Sequence, residues 1–335
     1  MKKLIFSLFL TTGILLSATA QQDAEYNMYM FNGLYLNPAY AGSHDVISTT
    51  AIYRHQWAGI EGAPRTVNAS VHSPLRREQY NLGLTISNDR LGLTNMFSAT
   101  GAFAYRIRLK GENKVAIGIQ AGFTYYQARN SEAITNDVNN GSVYDPTFSV
   151  NHNLWLPNIG AGIYFSGKRY NIGFSVPHLL PSSLNNKWKI ETSDAVAKQY
   201  NHYLLTAGYL FGKDAAIVKV KPSFLMKYQQ GLRFNVPDFD FNLNLLFIDR
   251  IWVGAGVRTG GNGFDDKGVQ KKFNVEGVIG MIEAKVTPQL RVGYAYHYSL
   301  TALRSYEKGT HEIMLGYDFW YNKKRFVTPR YVKYF

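Results

Sequence analysis

The feature that most constrains this chain is a period of two. From about Val46 to Tyr321 it runs in segments of roughly ten residues, about fourteen of them, in which apolar residues alternate with small or polar ones. In Val115-Ala116-Ile117-Gly118-Ile119-Gln120-Ala121-Gly122-Phe123, the odd positions are bulky or apolar and the even ones small or polar. Successive side chains of a strand point to opposite faces, so this segment has one greasy face and one small, polar face. Phe103–Leu109 and Leu290–Tyr298 repeat the pattern, the first with Arg106 and Arg108 on its second face. A repeated period of two without a long apolar helix is how a membrane protein reads when strands cross the bilayer.

The first twenty residues are of another kind. Lys2 and Lys3, the apolar run Leu4 to Leu16 and the small residues Ala18-Thr19-Ala20 read as a secretory signal peptide cleaved near Ala20. The chain has no cysteine, which excludes a disulfide framework and an N-terminal lipoprotein anchor. Aromatic residues make up 15% of it, with 24 tyrosines against 5 tryptophans, and tyrosine suits a strand crossing a membrane interface. The formal charge of +13 is spread along the chain. A nucleic-acid partner would call for a concentrated basic face; export and dispersed charge favour an acidic partner or anionic lipid headgroups.

Turn residues divide the chain into strands at about 46–55, 64–73, 80–89, 95–109, 113–126, 155–165, 169–178, 198–212, 217–229, 237–248, 250–258, 272–284, 288–299 and 310–321. Short connections (110–113, 166–168, 213–216, 249–250, 285–288) alternate with longer ones (127–154, 179–197, 259–271, 300–309). Outer-membrane barrels have this parity, with short periplasmic turns and long external loops. A soluble β-sandwich would also alternate. Here, however, the greasy faces carry almost no charge (Ile313, Leu315, Tyr317, Phe319), while glycine and the charges Arg106, Arg108, Asp240, Arg258 and Glu312 share the opposite faces. The expected fold is all-β: a transmembrane antiparallel barrel of about fourteen strands over residues 46–321. Residues 21–45 form an aromatic segment that fills the lumen or caps its periplasmic mouth, and 322–335 a basic periplasmic tail. Inner-face glycines such as Gly83, Gly118, Gly162, Gly173 and Gly293 either permit curvature or leave room for a plug or ligand.

Three motifs at the ends carry a resemblance. They are Asn37-Pro38-Ala39-Tyr40-Ala41-Gly42; Tyr53-Arg54-His55-Gln56-Trp57 followed by Pro64-Arg65-Thr66; and Thr328-Pro329-Arg330-Tyr331. Singly each is modest; in this order they resemble the PorP/SprF family of Bacteroidetes, over nearly the whole mature chain. The resemblance implies an integral outer-membrane protein of the type IX secretion system, associated with gliding motility and with the secretion or attachment of large adhesins. It implies as partners an exported cargo protein, other type IX components in the periplasm and outer membrane, and outer-membrane lipid. It makes Asn37, Pro38, Tyr40, Gly42, Tyr53, Arg54, Gln56, Trp57, Pro64, Arg65 and Thr66 the family's interaction residues.

Elsewhere, structural readings compete with functional ones. His55, His72, His202, His297 and His311 have no spacing that suggests a dyad or a metal site, and no enzyme, metal or cofactor is expected. Asp137–Gly141 begins a calcium-loop pattern but lacks the closing glutamate. Arg106, Arg108, Asp238, Asp240, Arg258, Glu276 and Glu312 read as charges that pair across the lumen, or else as a polar docking surface. In the tail, Lys323, Lys324, Arg325, Pro329, Arg330 and Tyr331 interleave basic with aromatic residues, which fits a solvated run and a docking peptide equally. The function expected is non-enzymatic: to hold an exported cargo at the surface and couple it to periplasmic components. A diffusion channel or small-solute transporter of the fatty-acid-transporter type is the alternative.

Overall fold

Each alternating segment pairs antiparallel with its neighbour in sequence, and the last pairs with the first. In a computed structural model describing residues 24–75, 79–132, 151–180, 201–229, 237–260, 263–264, 270–271 and 274–319, the strands are β1 (Ile47–His55), β2 (Arg65–Pro74), β3 (Tyr80–Leu91), β4 (Thr94–Arg108), β5 (Lys114–Ala128), β6 (His152–Ser166), β7 (Tyr170–Val176) and β8 (His202–Tyr209). They continue as β9 (Val218–Gln229), β10 (Asp238–Phe247), β11 (Ile251–Gly260), a two-residue ribbon β12 (Gly263–Phe264) and β13 (Gln270–Lys271), then β14 (Asn274–Lys285), β15 (Leu290–Ser299) and β16 (Thr310–Phe319). All but the ribbon form one closed fourteen-stranded barrel. Closure runs through β1 and β16, where Ile52 pairs with Met314 and Arg54 with Glu312.

The β4–β5 pair shows how alternation becomes a wall. Ile117 lies opposite Tyr105 and Ile119 opposite Phe103, all facing out; Gly118 lies opposite Ala104 and Gln120 opposite Ala102, all facing in. Outside, Ile119, Ile163, Leu243 and Leu315 stay more than half exposed, an apolar surface too continuous for water. Aromatic residues gather on it near both ends: Tyr80, Phe103 and Tyr105 toward the short turns, and Phe123, Tyr125 and Trp155 toward the long loops. Closure satisfies the backbone without leaving an edge, the condition for strands to stand in hydrocarbon. No helix among the described residues is long and apolar enough to cross a membrane.

Differences from the sequence reading cluster at strand ends. β6 begins at His152, because Asn153 and His152 still pair with Gln127 and Ala128 of β5 although neither is apolar. β7 stops at Val176, before Pro177, which has no N–H to donate. Beyond Tyr209 the β8 ladder gives way to a single bridge, Phe211 with Val220. Connection parity also has an exception: β3 and β4, at the long-loop end, are joined by the tight turn Gly92-Leu93. A register shift between Arg258 and Thr259 leaves Glu276 of β14 without a cross-strand partner on β11, a bulge that re-aims its side chain.

A barrel of this circumference has a lumen wider than its own side chains fill. Residues 24–46 occupy it, with 3-10 turns at Tyr29–Phe31 and Pro38–Tyr40 around the short helix α1 (Gly33–Leu36). Tyr26, Met28, Tyr29 and Leu36 pack against Ile52, Leu225, Ile279 and Met314; Leu34, Ala39 and Tyr40 pack against Ala102, Ala104, Ala116 and Tyr164. The hydrophobic core is thus the contact between this segment and the inner wall.

Candidate functional site: the occupied lumen

The segment is pinned near the long loops by charge. Glu25 forms ion pairs with Lys227 of β9 and Arg258 of β11. Burial alone would raise the Glu25 pKa, but these two cations hold it down at about 2. Arg258 also grips Asp240 with two hydrogen bonds of 2.9 Å and reaches the Tyr26 carbonyl at 3.3 Å. One turn on, the buried Glu312 carboxylate accepts the Asn27 and Met28 N–H groups, both at 2.8 Å, with Arg54 at 3.6 Å. A buried carboxylate is tolerable only with such donors around it.

In the middle, polar side chains tie the segment to strands all around the barrel. Asn32 bonds Asn68 and Ser70 of β2 (2.8 and 2.7 Å), Ser175 of β7 donates to the Leu36 carbonyl (2.6 Å), and Asn242 of β10 donates to the Tyr29 hydroxyl (3.1 Å). Asn37 donates to the Ile163 and Phe174 carbonyls and accepts from the Ala39 N–H. The inner glycines lie under these contacts. A Cβ on Gly118 would stand 2.3 Å from the Ala39 nitrogen, one on Gly162 would meet the Asn37 amide at 2.2 Å, and one on Gly83 or Gly293 would strike Leu34 or Met28. At these positions glycine makes room for the segment.

Near the short turns a second set of charges closes the other end. Asp45 receives Arg106 at 3.0 Å and Lys114 at 3.3 Å, and Arg106 also donates to the Ala41 carbonyl at 3.1 Å. Tyr40, His44, Ser48 and Asp318 form a hydrogen-bonded chain with links of 3.0, 2.9 and 2.6 Å. Its residue types are those of a hydrolase triad. Here, though, Ser48 gives its proton to Asp318, so the serine is not activated by histidine, and the chain is a lock on the mouth. On the long-loop side, a vestibule of about 150 Å³ opens above the segment, lined by Glu25, Tyr35, Gln120, His178, His202 and Asp238 among others.

The residues singled out from sequence separate into groups. Asn37, Pro38, Tyr40 and Gly42 lie in the lumen, where Gly42 takes φ +70° and donates to His72. Arg54 faces inward, whereas Tyr53 faces out. Gln56, Trp57 and Pro64 belong to the first loop, tied back through Gln56 to Pro64 (3.0 Å) and Trp57 to Thr310 (3.3 Å). That loop is also stitched to the last one, Ala58 bonding both Gly309 and Lys308. Thr66 donates to Asp89 at 2.6 Å, and Arg65 is exposed on the outer face. Arg106, Asp240, Arg258, Glu276 and Glu312 face the lumen; Arg106, Arg258 and Glu312 bond the segment, and Arg258 also pairs with Asp240. Arg108 corrects the expectation: as the last residue of β4 it stands exposed at the rim, past the level where the inner face is covered. The segment's own anchors, Glu25 and Asp45, escaped sequence reading; their signal is two isolated acids bracketing an uncharged aromatic stretch broken only by His44. The calcium-like stretch 137–141 and the tail residues Lys323, Lys324, Arg325, Pro329, Arg330 and Tyr331 lie outside the described residues. So do the signal peptide and most of loops 127–154 and 179–197. Among the described residues no cluster of three or more histidines and acids could hold a metal.

Solved structures share the architecture. A monoaromatic hydrocarbon channel, CymD, is 12% identical with a TM-score of 0.51, covering 89% of this chain and 95% of the channel. The Acinetobacter baumannii outer-membrane protein Omp33 is 8% identical with a TM-score of 0.43, covering 82% of this chain and 96% of its own. A Pseudomonas aeruginosa homologue of the transporter FadL is 10% identical with a TM-score of 0.41, covering 87% and 94%. The likeness to the hydrocarbon channel, at 12% identity, speaks for the barrel fold and for nothing finer. No curated protein matches the sequence. The model of the type IX secretion system membrane protein family PorP/SprF matches residues 18–317, nearly the whole barrel with the segment inside it, and the chain belongs to that family.

Proposed function

We propose that this protein is a docking platform of the type IX secretion system, holding an exported cargo such as an adhesin at the cell surface and coupling it to periplasmic components, without catalysis. The observation that carries this reading is the filled lumen. A segment bonded to strands around the barrel and anchored by charge at both ends occupies the lumen that a diffusing solute would have to cross. What the molecule then offers is its two ends, each set rigidly by a closed sheet. The long loops, with the first and last stitched together, are the cargo face, a common role for loops on a rigid scaffold. The short turns are the periplasmic face, and the basic segment 322–335 follows from Phe319, the end of β16, on that side.

Affinity purification of the full chain from native outer membrane tests the proposal. An exported surface protein and periplasmic components should co-purify, and deletion of 322–335 should weaken the periplasmic set while leaving the barrel assembled. Recovery of the protein without either class of partner would contradict it. The alternative, a small-solute transporter, gains support only if the intact chain conducts.

A further inference from the structure

The outer face carries a row of basic side chains that the docking reading does not use. At the long-loop end, His311 of β16, His55 of β1, Arg65 of β2 and Arg90 of β3 are successive cross-strand partners. Each has the outward parity of its strand, on the same face as the exposed Ile313, Tyr53, Val67 and Ile86. Arg65 stands directly opposite Arg90, and like charges so placed repel. Among the described residues no carboxylate neutralises either guanidinium. Asp89 points inward to Thr66, and Glu61 is exposed on the loop above. His311 is held by the Tyr294 hydroxyl at 2.7 Å.

Below the row lies apolar wall; above it lies the loop end of the barrel. A ligand that fits must therefore have hydrocarbon chains and an anionic head joined at this level. Guanidinium groups are the side chains best suited to phosphate, which they bind through paired, charge-assisted hydrogen bonds. We propose that Arg65 and Arg90, flanked by His55 and His311, form a binding site for a phosphorylated glycolipid of the outer leaflet, acyl chains on the Tyr53–Val67–Ile313 wall and phosphate on the two arginines.

Native mass spectrometry of the detergent-solubilised full chain, with diphosphoryl lipid A as probe and its dephosphorylated form as control, tests this site. The wild type should retain the phosphorylated lipid and discriminate against the other. R65Q/R90Q should weaken retention by about tenfold or more, R65K/R90K should restore most of it, and K110Q, on the opposite rim, should change nothing. Heat-modifiable gel mobility establishes that each variant has a closed barrel. Equal retention by wild type and R65Q/R90Q, or of both lipids by the wild type, would overturn the proposal. Complete displacement of the lipid by millimolar inorganic phosphate would reassign the site to a soluble anion and overturn it too.

Discussion

At the scale of single residues, the lumen turns on two types of position: glycines that admit a second backbone and acids that anchor it. Gly118 and Gly280 make a controlled pair. A Cβ on Gly118 would sit 2.3 Å from the Ala39 nitrogen, whereas one on Gly280, on the outer face, meets nothing within 4 Å. G118A should cost about 1–3 kcal/mol through overpacking, and G280A close to nothing, in urea unfolding from detergent. Glu25 makes a prediction in pH. Its pKa is lowered from the ordinary 4.5 to about 2, so the stabilisation it adds is complete above pH 4.5 and is lost as pH falls toward 2. The melting difference between wild type and E25Q should be constant above pH 5 and shrink to nearly zero by pH 2. The parity of Gly118 was plain from sequence; which backbone presses on it was not, because that contact joins residues far apart in the chain. Arg108 shows the complementary limit, since parity gives a side chain's face but not its height.

At the scale of elements, the period of two marked all fourteen barrel strands, since in each of them one face meets lipid and the other the lumen. Their ends were less legible. Hydrogen bonding carries β6 back to His152 beyond its apolar stretch, and Pro177 ends β7 early. The segment 24–46 was visible as aromatic and irregular and was expected at the periplasmic mouth, with packing inside the barrel and capping of the mouth as its two readings. They are separated by Glu25 and Asp45, whose partners lie on strands remote in sequence. Glu312 belongs to this scale because it holds two backbone N–H groups of the segment and faces Arg54. E312Q leaves Arg54 buried beside a neutral amide, a loss of about 3 kcal/mol. Hydrogen exchange should then quicken over residues 25–31 before the barrel strands respond. Equal protection in both proteins would remove Glu312 as an anchor.

At the scale of the whole molecule, the core is inverted relative to a soluble protein. The widest apolar surface faces outward, and the tightest packing is between an internal segment and the inner wall. The proposed function makes this a structural rather than a conducting barrel, so the ability to pass ions is the central observable. Single-channel recording in planar bilayers should show no steady pores for the full chain, and stable openings for a variant lacking residues 24–43 that still migrates as a folded barrel. Steady conductance by the intact protein, equal to that of the deletion variant, would contradict a lumen sealed by its own N-terminal segment, and with it the docking role built on that seal.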